Sequence, residues 1–254
     1  MEEPDLTSSS SEDDNSQHFN YFLVLDFEAT CQKESKMEPQ EIIEFPCLLV
    51  RSSDFNVVDQ FHQYVLPVVH PSLSTFCSEL TGITQDMLKD CDSFPGVLER
   101  FKTWYLGLGL TPETATFVTC GNWDLVTMLP EQCRVSKIPV PSMLDLAESR
   151  NFVNIKLTYQ EVEGKTCEGI VEMQQGLGLD FQGRLHSGID DCRNIGRLVE
   201  ALARRGARFR HNGMDKLEVR LMFLCFFLLL YSFSFTRLRQ NLGLLQRRTP
   251  LTSS

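Results

Sequence analysis

Tyr21 to Leu25 (YFLVL) is an unbroken run of aromatic and branched apolar residues, and it ends in Asp26-Phe27-Glu28. A short apolar run of this composition reads as a strand buried on both faces, inside a sheet. Two carboxylates therefore arrive at the margin of a hydrophobic core, where an unpaired charge is costly. Strand side chains alternate with a period of two, so Asp26 and Glu28 project from one face, close to each other. Adjacent anions near a core either take up protons or share a cation, and hard divalent ions such as Mg²⁺ or Mn²⁺ suit carboxylate oxygens.

The chain is large enough to bury such a strand. Of its 254 residues 42% are hydrophobic and 18 are Phe, which suits one sizeable domain with appendages. Nine cysteines occur without a single CxxC pair, the pattern of reduced intracellular thiols in the cytoplasm or nucleus. Residues 1–17 are acidic, rich in serine and free of aromatic residues, and they read as a disordered leader. The net charge of −10 hides a division, because ten basic and two acidic residues follow from Arg204 onward, leaving 14 basic and 32 acidic ahead of it. An acidic body weighs against a nucleic-acid partner unless bound cations offset its carboxylates.

Beyond the first strand, residues 41–51 and 55–66 carry β-branched and aromatic residues around Ser52-Ser53-Asp54, and predict a hairpin that extends the sheet. Short helical segments are expected near 74–81 and 85–89. A longer helix is predicted over 94–106, where Val97, Leu98, Phe101, Trp104 and Tyr105 recur at helical spacing behind a Ser93-Phe94-Pro95 start. Residues 115–120 (ATFVTC) form a second buried-strand candidate, followed by a Gly121-Asn122 turn into Asp124. Residues 190–204 place Ile195, Leu198, Val199 and Leu202 on one helical face, ended by Gly206. This order predicts an α/β domain, a mixed sheet flanked by helices, over residues 18–206.

Asp26, Glu28, Asp124, His186 and Asp191 stand at the ends of these elements, and their order carries more information than any one of them. Leu25-Asp26-Phe27-Glu28-Ala29-Thr30, Gly121-Asn122-Trp123-Asp124-Leu125 and His186-Ser187-Gly188-Ile189-Asp190-Asp191 together resemble the three motifs of the DEDDh 3′-to-5′ exonucleases, in the DnaQ-like superfamily. Glu79-Leu80-Thr81-Gly82-Ile83-Thr84 is similar to a connecting segment of that superfamily, and the first and third motifs are closest to its Eri1-like exoribonuclease branch. The resemblance implies a ribonuclease-H-like fold, RNA 3′ ends as partners and hydrolysis to nucleoside 5′-monophosphates. It further implies that Asp26, Glu28, Asp124 and Asp191 hold two Mg²⁺ or Mn²⁺ ions, that His186 is the general base, and that Glu28, Ala29, Leu125 and His186 bind substrate. Phe27 or Trp123 would help to shape the pocket of the terminal nucleotide.

The chemistry agrees with that assignment: two ions about 3.5–4 Å apart can stabilise both the entering and the leaving oxygen of a phosphodiester, and an imidazole can accept the water's proton near neutral pH. Asp190 competes with Asp191, and the five-residue step from His186 in the family motif favours Asp191, leaving Asp190 at a helix start. Arg184 and Arg193 could approach a phosphate or lie on a solvated face. Two rivals stand beside the exoribonuclease reading. One is a DNA 3′-to-5′ exonuclease on the same fold, because nothing here visibly reads a 2′-hydroxyl; the other is a noncatalytic RNA-binding scaffold, against which the complete carboxylate set argues.

Residues 207–254 form a basic and apolar tail. Within 217–235 the uninterrupted apolar stretch, Leu221 to Tyr231, is eleven residues, whereas a bilayer span takes about 20. A membrane anchor, a helix that docks on the domain or a partner, and a splice-derived extension are the three readings of it.

Overall fold

The computed structural model describes residues 17–34, 37–144 and 152–213. The expected leader over 1–17, all but its last residue, and the tail segment 217–235 lie outside the described residues. No helix of the described residues is long and apolar enough to cross a membrane.

The apolar run forms β1 (Tyr21–Leu25), and a two-residue strand β2 (Glu28–Ala29) follows it along the same neighbour. That neighbour is β3 (Ile42–Arg51), which a tight turn joins to β4 (Val57–Tyr64), so the predicted hairpin is present. α1 (Thr75–Thr81), α2 (Gln85–Leu88) and α3 (Phe94–Gly107) come next, close to their predicted spans. Then follow β5 (Ala115–Thr119), a π-helical turn over Trp123–Met128, and α4 (Leu129–Val135). β6 (Phe152–Asn154), α5 (Ile155–Glu163), α6 (Ile170–Leu177) and α7 (Gly188–Arg204) complete the domain. β1 is antiparallel to β3 and parallel to β5, and β5 is parallel to β6, which makes the sheet mixed.

Alternation along β1 builds two cores on the two faces of this sheet. Leu23 and Leu25 join Phe45, Phe61, Phe94 and Phe101 on the α3 and α4 side. Phe22 and Val24 join Ile195, Leu198, Val199 and Leu202 of α7 on the other. Buried α7 residues recur at helical spacing, and each fully buried side chain of this size contributes about 1.5–3 kcal/mol. Helices therefore cover both faces, and β1 lies between strands on both sides. Even-numbered residues of β1 face α7, and that parity carries Asp26 and Glu28 toward the helix bearing Asp191.

Loop anchors fix the remaining geometry. The buried Glu41 carboxylate accepts the backbone N–H groups of Val68, Val69 and His70, which ties the chain leaving β4 to the start of β3. Asn194, fully buried in α7, accepts from Gln174 Nε2 and the Gln182 N–H and donates to the Gln182 and Asp190 carbonyls. It thereby holds the segment that leads into His186.

Candidate active site

The first carboxylate pair sits where β1 gives way to β2. The register pairs Leu25 with Cys47 and Glu28 with Glu44, which places Pro46 opposite Asp26. Proline has no N–H, so the ladder lapses at Asp26 and Phe27 and resumes at Glu28. Phe27 turns to the other face, 3% exposed, with its ring centroid 4.8 Å from that of Phe45. Its ring belongs to the core on the α3 face. Ala29 and Leu125 are buried in the same core, whereas Trp123 is exposed.

Asp124 reaches the pair because β5 runs parallel to β1. Gly121, at φ 114°, takes a conformation that side chains avoid and turns the chain off β5. The π-helical turn then places Asp124 inward, buried, with its Oδ1 accepting the Phe27 N–H at 2.8 Å. One hydrogen bond so joins the first motif to the second.

His186 and Asp191 arrive at the start of α7. His186 has φ 64°, an uncommon left-handed conformation for a residue with a side chain. Its N–H donates to Asp191 Oδ2 at 2.9 Å, closing the turn that leads into the helix. Asp190 faces the other way, accepting the Arg184 N–H at 3.0 Å and Arg193 Nη1 at 2.7 Å. Arg184 also donates to the Glu79 carbonyl, so both arginines brace the loop. Asp191 is buried, and its Oδ1 has no hydrogen-bond partner among the described residues. One oxygen each of Glu28 and Asp191 and a ring nitrogen of His186 lie within 4.8 Å of one another.

The electrostatics follow from crowding anions in a dry place. Burial, then the charges of Asp124, Asp191, Glu28 and Glu44, holds the Asp26 carboxyl well above its ordinary range. Burial and the neighbouring carboxylates push Glu28 up to about 9. Asp124 and Asp191 are each raised to about 7, chiefly by burial. Burial also lowers His186, which keeps its imidazole neutral at physiological pH. These groups can be ionised together only beside a compensating cation. The unpartnered Asp191 oxygen and the all-oxygen carboxylate set with one imidazole fit a hard divalent ion.

A cavity of about 500 Å³ opens on Asp26, His186 and Asp191, and Cys120, Lys156 and Leu185 also line it. Its size falls in the range of small-ligand sites, about 300–1,000 Å³. Lys156, Glu44 and His62 were not anticipated as part of this neighbourhood. Lys156 follows β6, a strand too short to announce itself, and lowers the Asp124 carboxyl by its charge. Glu44 lies in a hairpin strand whose apolar neighbours gave it no separate signal, although its register opposite Glu28 puts the two carboxylates side by side.

The model of the exonuclease family matches residues 23–199. The chain belongs to the exonuclease family. ERI1 exoribonuclease 3 of Homo sapiens is 45% identical over 199 residues, covering 76% of this chain and 57% of that protein. The 3′-5′ exoribonuclease 1 of Rattus norvegicus is 36% identical over 199 residues, covering 77% of this chain and 56% of its own length. The chain thus spans a little over half the length of these curated relatives. Among solved structures, the nuclease domain of 3′hExo, described as a DEDDh family member bound to rAMP, superposes with a TM-score of 0.68 at 34% identity, covering 77% of this chain and 97% of that one. Family membership and this superposition establish the ribonuclease-H-like sheet flanked by helices.

Proposed function

We propose that this chain is a metal-dependent 3′-to-5′ exoribonuclease that releases nucleoside 5′-monophosphates from RNA 3′ ends. The observation that carries the reading is the convergence of Asp26 at the end of β1, Glu28 of β2, Asp124 of the π-helical turn and Asp191 of α7, close enough for the other three to raise the Asp26 carboxyl, beside a cavity lined by Asp26, Asp191 and the exposed His186. The relatives named as exoribonucleases support it, as does the rAMP in the related nuclease domain.

The four carboxylates would hold two divalent ions, Mg²⁺ or Mn²⁺. Bound there, the ions would supply positive charge for the phosphate oxygens and make a nearby water more acidic. His186, neutral and solvent-facing, accepts the proton of the water whose oxygen attacks the phosphorus. The bond from phosphorus to the 3′-oxygen of the preceding nucleotide breaks, and that oxygen ends as a hydroxyl. The His186 ring is aimed by its own backbone, since the left-handed turn and the bond to Asp191 Oδ2 fix where the side chain departs. Ala29 and Leu125, as rigid core residues behind the carboxylates, back the subsite of the terminal nucleotide. Lys156, on the cavity wall, is suited to approach a phosphate.

A 5′-labelled single-stranded RNA and its deoxy counterpart, each with Mg²⁺ or EDTA, test this. The expected result is a ladder shortening from the 3′ end of the RNA, lost in EDTA and in Asp26→Ala and His186→Ala. Intact RNA with folded protein and every divalent ion tried would refute it. Preferential shortening of the deoxy strand would replace the substrate.

A further inference from the structure

Glu44 is a fifth carboxylate at this site, 1% exposed, and the three groups that contact it explain how so much negative charge is tolerated. Its Oε2 accepts the Gly188 N–H at 2.9 Å, and its Oε1 accepts the Ile189 N–H at 3.1 Å. These are free amides of the first turn of α7, where the helix presents its positive end. On the β4 side, His62 Nε2 lies 2.7 Å from Oε1. A carboxylate only accepts, and toward one the Nε2–H tautomer of His62 is the donor. Both oxygens are engaged, Oε1 by two partners and Oε2 by one.

Its role is mechanical. The first turn of α7 lies between His186 and Asp191, and Gly188 is wedged there so tightly that a Cβ would sit 2.7 Å from the Asp26 carbonyl oxygen and 3.2 Å from Glu44 Oε2. A fork with two acceptor oxygens is what two successive N–H groups require; an amide in its place would set an N–H against an N–H. We propose that Glu44, backed by His62, is a positioning residue for the cation site, clamping the start of α7 so that Asp191 and His186 face Glu28. The charge of Glu44 also raises the carboxyls of Asp26, Glu28 and Asp191. This inference rests on the proposed metal-dependent reading of the same site.

The test uses the full chain with Glu44→Gln, His62→Phe and His62→Gln, and follows three readouts: melting temperature in EDTA, Mn²⁺ binding by calorimetry, and RNA hydrolysis. Groups that orient ligands act with about 10–100-fold effects on metal affinity or turnover. Glu44→Gln is expected to weaken Mn²⁺ binding and lower kcat in that range, with KM for RNA changed by less than about twofold, as for an interaction realised after binding. His62→Phe shifts both in the same direction by less, and His62→Gln, which keeps a donor, recovers most of the loss. If Glu44→Gln lowers only the melting temperature, with Mn²⁺ affinity and kcat of the folded protein intact, the proposal is overturned. Should Glu44→Gln not fold, His62→Phe decides, because its own strand, β4, pairs among the described residues with β3 alone, at the sheet edge; unchanged Mn²⁺ affinity there overturns it equally. A wild-type chain that binds Mn²⁺ yet leaves RNA intact defeats the exoribonuclease reading alone, and the affinity ratios still decide the role of Glu44. A wild-type chain that binds no Mn²⁺ defeats both.

Discussion

Replacing Asp191 by Asn is expected to stabilise the metal-free protein while destroying its response to divalent ions. The Asn side chain has the same shape and keeps an oxygen for the His186 N–H. What it removes is a charge that burial penalises, the carboxyl being raised from 3.8 to about 7. At about 1.4 kcal/mol per pH unit, that gap caps the penalty near 4 kcal/mol. An amide still loses hydration on burial, at about 1–3 kcal/mol, so the net gain is about 1–3 kcal/mol. A domain of this size gains about 2–4 °C in Tm per kcal/mol, so the melt moves up by about 2–12 °C. The sign follows from linkage: a raised folded-state value leaves stability whole below 3.8 and erodes it as pH rises through about 7. The variant should therefore melt below wild type at about pH 4, where the carboxyl is neutral and only the amide's lost hydration counts, and above it at about pH 8 in EDTA. With Mg²⁺ at about a thousand times its Kd, the wild type gains about 4.1 kcal/mol and the order reverses. Thermal melts at both pH values, with EDTA and with Mg²⁺, supply the data. An Asn variant that melts at or below wild type at about pH 8 without metal refutes the claim that burial of this charge is costly.

Other consequences are as direct. Because Glu28 is raised to about 9, the metal-free wild type should lose stability steadily from about pH 4.5 to 9, and stabilisation by Mn²⁺ should grow over the same window; pH-resolved melts with and without Mn²⁺ will show either a widening or a constant gap. Gly188→Ala drives a Cβ against the Asp26 carbonyl and Glu44, so it should cost about 1–3 kcal/mol by overpacking and cut hydrolysis far more than an equally destabilising change elsewhere. Leu198→Ala is that comparison: it opens the core under α7 at about 2–5 kcal/mol by chemical denaturation, yet turnover per folded molecule should hold. Asp190→Ala frees the Arg184 N–H and Arg193 but leaves Asp191 in place, so its hydrolysis should exceed that of Asp191→Ala by a wide margin in parallel assays.

The amino-acid order alone determined the local elements and the residue types of the site. The apolar run at 21–25, the hairpin turn at 52–54 and the periodicity over 94–106 and 190–204 are local patterns, because alternation and helical spacing depend only on neighbours along the chain. The same holds for the motif text around Asp26, Asp124 and His186, where residue identity carries the chemistry. α5 and α6 are absent from the elements expected from the sequence, and β6 has only three residues, too few for a period. Only the tertiary structure decided which groups meet. Phe27 lies beside two site carboxylates in sequence yet turns into the core, because Pro46 interrupts the ladder and strand parity sends its ring to the α3 face. Asp190 and Asp191 are adjacent and identical, and a helical step of about 100° separates a loop brace from a buried carboxylate with a free oxygen. Glu44 lies 144 residues from Gly188, and no local pattern can join a strand side chain to helix amides over that distance. That contact exists only once the sheet has set its register and α7 has packed across it, since register and packing are long-range choices made by burial.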